Sequence, residues 1–235
     1  MDENMGRDTS TGFFDRLGWI FYAPSRVFQD IERGAVSWWE PLIWLGLLNM
    51  LITFISLPIQ RLMLEMNDQG LPEELLEKLI EFWPLVATFE VISAPIVVLL
   101  VAFITGLIGY IFVSIIAAQS SFRQFFTLYL YASILGTAGG LLSILVVRFG
   151  KGLQTIRSPE DAVFSIGLNF LAPSDNVLLE AVFSSIDLFA MWALVVVALG
   201  LMHVFKMTRN QAIGCVVPFW LMSIAMLLLK LFRGA

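Results

Sequence analysis

The sequence predicts an all-α, polytopic integral membrane protein, with five transmembrane helices behind an amphipathic N-terminal interfacial segment. Three observations lead there. Hydrophobic residues make up 58% of the 235 residues and charged ones only 14%, too little polarity to cover a soluble domain. Mean hydropathy is +0.84. The charges that exist gather before Gly34 and in the stretches 61–81 and 148–161. Between them lie apolar runs long enough for the roughly 20 residues that a bilayer crossing needs. The expected organisation is an interfacial segment over 1–34 and a five-helix domain over 35–235.

Residues 10–33 read as two short helices too polar and too broken to span. In the first, Phe13, Phe14, Leu17, Ile20 and Phe21 form the apolar face, with Asp15 and Arg16 pointing away. Pro24 suits the first turn of the second helix and Gly34 its end. There Val27, Phe28 and Ile31 oppose Arg26, Asp30, Glu32 and Arg33. Such helices can lie on the membrane or pack as a cap on the protein itself. The first span, about 38–64, opens with Trp38, Trp39 and Trp44, residues suited to the headgroup boundary. A short amphipathic helix starting at Pro72 follows. The second span, about 83–118, is too long for one straight crossing, so it tilts, extends beyond the lipid or bends at Pro95.

The third span, 122–147, has Ser121 as its candidate N-cap. It carries Ala132, Gly136 and Gly140, small residues four apart on one face, with Gly139 alongside. This stripe is expected to be an intramolecular packing seam, with a contact between copies as the second reading. A semi-polar loop, with room for a short re-entrant or interfacial helix, leads to a fourth span over 177–205. The fifth runs over 210–231 with a kink expected at Pro218.

A net charge of −5 gives no basis for nucleic-acid binding. Cys215, the single cysteine, and His203, the single histidine, are expected to be a small core residue and a capping or interfacial residue. No phosphate loop, zinc spacing, nucleophile elbow or cofactor motif is present, so no cofactor and no enzymatic activity are expected. The polar start of the chain lacks the apolar run of a cleavable signal, and the first span is expected to serve as the insertion signal. Lysines and arginines divide evenly between the two sides of a five-span chain. The arginines before Trp38 favour a cytoplasmic N-terminus.

Several stretches together resemble the Yip1 domain family. "FYAPSRVFQDI" followed by "WWEPLIWLGLL" resembles its opening, an amphipathic turn leading into the first span. "SFRQFFTLYLYASI" resembles the start of its third span, and "SIDLFAMWALVVVALGLMHVFKMTRNQAIGCVVPFW" its last two. The resemblance covers roughly residues 20–225. It implies five spans with a cytoplasmic N-terminus. Eukaryotic members act in the early secretory pathway with small GTPases and membrane-shaping proteins. Without their long hydrophilic N-terminal region, this chain is more similar to short prokaryotic members of the cytoplasmic (inner) membrane. The implied role is non-enzymatic: organising the membrane, other membrane proteins or a homo-oligomer.

The candidate chemistry lies in acids within spans: Glu90, Glu180 and Asp187. At a helix centre such a residue disfavours insertion by about 2.5–3.5 kcal/mol, so it faces the bundle or a wet cavity. Glu180, Ser184 and Asp187 fall on one stripe of the fourth helix. Glu90 and Asp187 are expected at similar depth in the non-cytoplasmic half, where Arg148 and Lys230 can meet them. Three readings stay open: an ion or proton site serving a small transporter or channel, a structural set of ion pairs, or acids in interfacial water.

Overall fold

The computed structural model describes residues 12–66, 70–117, 120–162, 164, 167–168, 179, 182–183 and 186–234. Among them the fold is helical, with one isolated antiparallel bridge between Gly167 and Asp187. The N-terminal pair is Phe13–Tyr22 (α1) and Pro24–Glu32 (α2). Then come Trp39–Glu65 (α3), Glu73–Glu81 (α4), Trp83–Ile116 (α5) and Phe122–Leu145 (α6). Leu188–Val204 (α7) and Arg209–Gly234 (α8) complete the set.

Helices α3 and α5, and α6 with its π-helical extension to Lys151, are long and apolar enough to cross a membrane. Helix α7 is apolar but shorter. At a rise of ~1.5 Å per residue, α5 is about 51 Å long, well beyond a hydrocarbon core of about 30 Å. It continues through Pro95 as one helix. Its outward face is apolar, with Phe89 70% and Ile115 76% exposed. Such a face suits lipid and not water.

Helix α6 is the hub. Phe125, Phe126, Thr127, Leu128, Leu130, Tyr131, Ala132, Ile134 and Leu135 are buried along its first half. It packs against α1, α2, α3, α5 and α7. Trp38 meets Phe126 at one end of α3, and Ile52 meets Gly140 further along, so α3 and α6 run parallel. Conversely, Gly200 meets Leu128 while Gly139 meets Phe189, so α7 runs antiparallel to α6. A smaller core of Ile59, Val147 and Ile156 closes the far end of α3 and α6.

The N-terminal helices are a cap packed on the protein. Ile20, Val27, Phe28 and Ile31 belong to the same core as α6 and α7. Two expectations need correction here. Arg16 does not point away but is buried with Ile20, one turn along the same face, while Phe14 is 72% exposed. Asp187 does not lie in the middle of a helix but at its start, because the fourth long helix begins only at Leu188.

Candidate functional site

The cap is held by charge as well as by apolar packing. Arg16 Nη2 donates to Glu40 Oε2 at 2.9 Å, and Arg16 Nη1 lies 3.5 Å from Asp30 Oδ2. One guanidinium therefore joins α1, α2 and α3. Tyr131, fully buried on α6, lies within electrostatic reach of it. Burial works against the charge on Arg16, yet the hydrogen bond to Glu40, with Tyr131 nearby, holds its pKa above the ordinary value. A buried cation flanked by two carboxylates is compensated, and removing it would strand both acids. Sequence reasoning missed this cluster. The available signal was the spacing of Arg16 four residues before Ile20, which puts both on one helix face.

A second tie fixes α2 to the end of α7. Lys206 Nζ lies 2.6 Å from Glu32 Oε1, and His203 Nε2 lies 3.5 Å from Glu32 Oε2. Glu32 is held below the ordinary carboxylate range by the hydrogen bond from Lys206. Beside this tie, Tyr22, Phe28, Trp192 and His203 line a cleft of about 490 Å³ between α2 and α7. Arg26 stacks over the Trp19 ring at 5.0 Å.

Glu90 lies on α5, beside α3. It lines a groove of about 290 Å³ with Asn49, Thr53 and Gln60 of α3 and Ser93 of α5. The helices approach closely just beyond it, where a side chain on Gly46 would come 3.2 Å from Pro95. The Glu90 Oε2 atom is buried and has no hydrogen-bond partner among the described residues.

Asp187 does not join Glu90 in this groove. Its Oδ1 accepts from the N–H groups of Phe189 at 2.9 Å and Ala190 at 3.1 Å, making it the N-cap of α7. The two first-turn donors explain an acid in so apolar a stretch: they would otherwise go unmatched. Helix α7 packs on α2, α6 and α8, away from the groove. Glu180 and Ser184 lie outside the described residues, as does the side chain of Lys230. Arg148 sits in the π-helical turn with its guanidinium over Phe149 at 5.7 Å.

The small-residue seam is displaced by one face. Ala132 is buried, but Gly136 and Gly140 are exposed. A side chain on Gly136 would meet nothing within 4 Å, whereas one on Gly139 would come within 2.8 Å of Phe189. Gly139, not Gly136, is where α7 closes on α6. Other tight contacts are Gly200 against Leu128 and Gly109 against Phe219.

The order of these parts matches one known arrangement. The Yip1 domain matches residues 19–230, nearly the whole chain. The chain belongs to the Yip1 domain family. Among curated proteins and among solved structures, none is similar enough to match. The Yip1 match takes in α2 through most of α8, together with Asp30, Glu40 and Glu90. It starts within α1, three residues after Arg16. As a Yip1-domain protein with long apolar helices, it resides in a lipid bilayer.

Proposed function

We propose that this Yip1-domain protein is a non-enzymatic organiser of the membrane or of membrane-protein partners, including further copies of itself. In this reading α7 and the residues before it form the fourth crossing and α8 the fifth. The N-terminus is cytoplasmic, and the membrane is a prokaryotic inner membrane. The observation that carries the proposal is the clamped cap. Two amphipathic helices are locked to the bundle by Arg16, and they hold Phe14 and Tyr22 outward, 72% and 73% exposed. Trp38 and Trp39 are exposed at the same end. Aromatic side chains held at the headgroup boundary bind an interface well. Fixed on a rigid frame, they form a collar that can order lipid or meet another protein.

The competing transport reading rested on Glu90 and Asp187 acting together. It loses that pairing, since Asp187 caps α7. Reconstitution of the full chain into liposomes separates the two. The organiser reading expects vesicle size and curvature to change with protein density. It also expects Phe14→Ser with Tyr22→Ser to weaken that change without unfolding the protein. Vesicles of unchanged shape that conduct sodium ions or protons would overturn it.

A further inference from the structure

A pocket of about 260 Å³ opens between α1 and the first turns of α3, lined by Phe13, Trp39, Glu40, Ile43 and Trp44. Local spacing gathers these residues. Trp39 and Ile43, Ile43 and Glu40, and Glu40 and Trp44 stand three or four apart on α3, so each lies next to the following one. Phe13 comes across from α1 and stacks on Trp44, with ring centroids 5.6 Å apart. The carboxylate is held in place. Arg16, one turn after Phe13, donates to Glu40 Oε2 at 2.9 Å, and an ionised carboxylate has further lone pairs to offer. Arg16 also faces Asp30, so one guanidinium stands against two carboxylates, and a further positive charge is favoured beside them.

Three rings and one carboxylate suit an organic cation, because ring faces attract positive charge, those of Trp most strongly. The remaining wall is the aliphatic Ile43. A primary ammonium would find one carboxylate for its three N–H groups, whereas a quaternary ammonium has no N–H to leave unmatched. Beyond the pocket, Ile43, Leu47, Leu51 and Phe54 continue as an exposed apolar stripe along a helix long enough to cross a membrane. We propose that the pocket takes the trimethylammonium headgroup of a choline phospholipid, with its acyl chains along the α3 stripe. The stripe favours a lipid over a soluble ammonium compound, which would leave it unused. The site requires only that the chain reside in a bilayer, so it stands apart from the organising role.

The test is native mass spectrometry of the full chain, released from micelles holding equal amounts of phosphatidylcholine, phosphatidylethanolamine and phosphatidylglycerol with identical acyl chains. Phosphatidylcholine should be retained over both of the others. Trp39→Leu should lower that preference about fivefold, and Trp39→Phe should restore part of it. Trp38→Leu, which removes an exposed tryptophan outside the pocket, should leave the preference intact. Equal retention of the three lipids by the wild-type chain would overturn the site, whatever the variants do. So would a preference for phosphatidylethanolamine, or one that falls as far in Trp38→Leu as in Trp39→Leu. Thermal unfolding in phosphatidylglycerol nanodiscs separates the source. Added phosphatidylcholine should raise the midpoint; choline chloride raising it equally would assign the pocket to a soluble ligand and overturn the lipid.

Discussion

Two ionisable side chains set among the helices of this protein, Arg16 and Glu90, are treated in opposite ways. Arg16 meets Glu40 at 2.9 Å and Asp30 at 3.5 Å, so its charge is matched within the chain. Glu90 sits in a groove whose neighbours have turned their donors elsewhere. In the first arrangement one cation meets two carboxylates, and that contact holds α1, α2 and α3 together. The second leaves Glu90 Oε2 buried without a partner among the described residues. An ion pair buried within the chain ties elements together, whereas a lone acid does not.

The largest effect is expected at the Arg16 cluster. Arg16→Met leaves Asp30 and Glu40 half-buried without their cation, which should cost about 3–5 kcal/mol. The loss should show in unfolding of the reconstituted chain and as faster amide exchange across Phe13–Glu32. A cost below about 1 kcal/mol, the range of an exposed pair, would mean that Arg16 is solvated and the comparison fails.

Packing comes next. Gly139→Leu must push against Phe189, already within 2.8 Å of where a Cβ would sit, and should cost about 1–3 kcal/mol. Gly136→Leu enters open space and should be near neutral in an isolated protomer. Equal losses for the two, measured by the same unfolding assay, would restore the seam to Gly136.

The smallest effect belongs to Asp187. Asp187→Ala removes a helix cap and should cost about 1 kcal/mol, whereas Asp187→Asn should be close to neutral, because asparagine caps as well as aspartate. A large loss for Asp187→Asn would point to a charge partner and bring Asp187 back beside Glu90 as a functional acid.

Helical membrane character and the span boundaries of α3, α5 and α6 were legible because they follow from apolar run length alone. The centrality of α6 was not. A helix buried on many sides carries no one-sided pattern, and nothing in "FFTLYLYASIL" says which neighbours surround it. The cap helices were legible as amphipathic but were rotated in the reading. Phe14 and Phe21 look like core residues in water, yet at an interface they face outward and Arg16 turns in. Hydropathy also hid a start signal: Asp187 before Leu188 and Phe189 is an N-cap pattern inside a run taken as one helix. Glu90 stood out as an acid in an apolar run, and it lies in α5, a helix long and apolar enough to cross a membrane. Its companions, Asn49, Thr53 and Gln60, come from another helix, and no local pattern in the sequence joins them to it.

The most direct measurement of the contrast is hydrogen–deuterium exchange of the full chain in nanodiscs, with Arg16→Met and Glu90→Gln each set against the unsubstituted protein. Arg16→Met should speed exchange across Phe13–Glu32, because Asp30 and Glu40 lose the cation that joins the cap to α3. Glu90→Gln should leave the turns of α3 and α5 around Asn49 and Glu90 as protected as before, because Glu90 Oε2 has no partner among the described residues to lose. Unchanged exchange of the cap in Arg16→Met, or faster exchange of α3 and α5 in Glu90→Gln, would contradict the account.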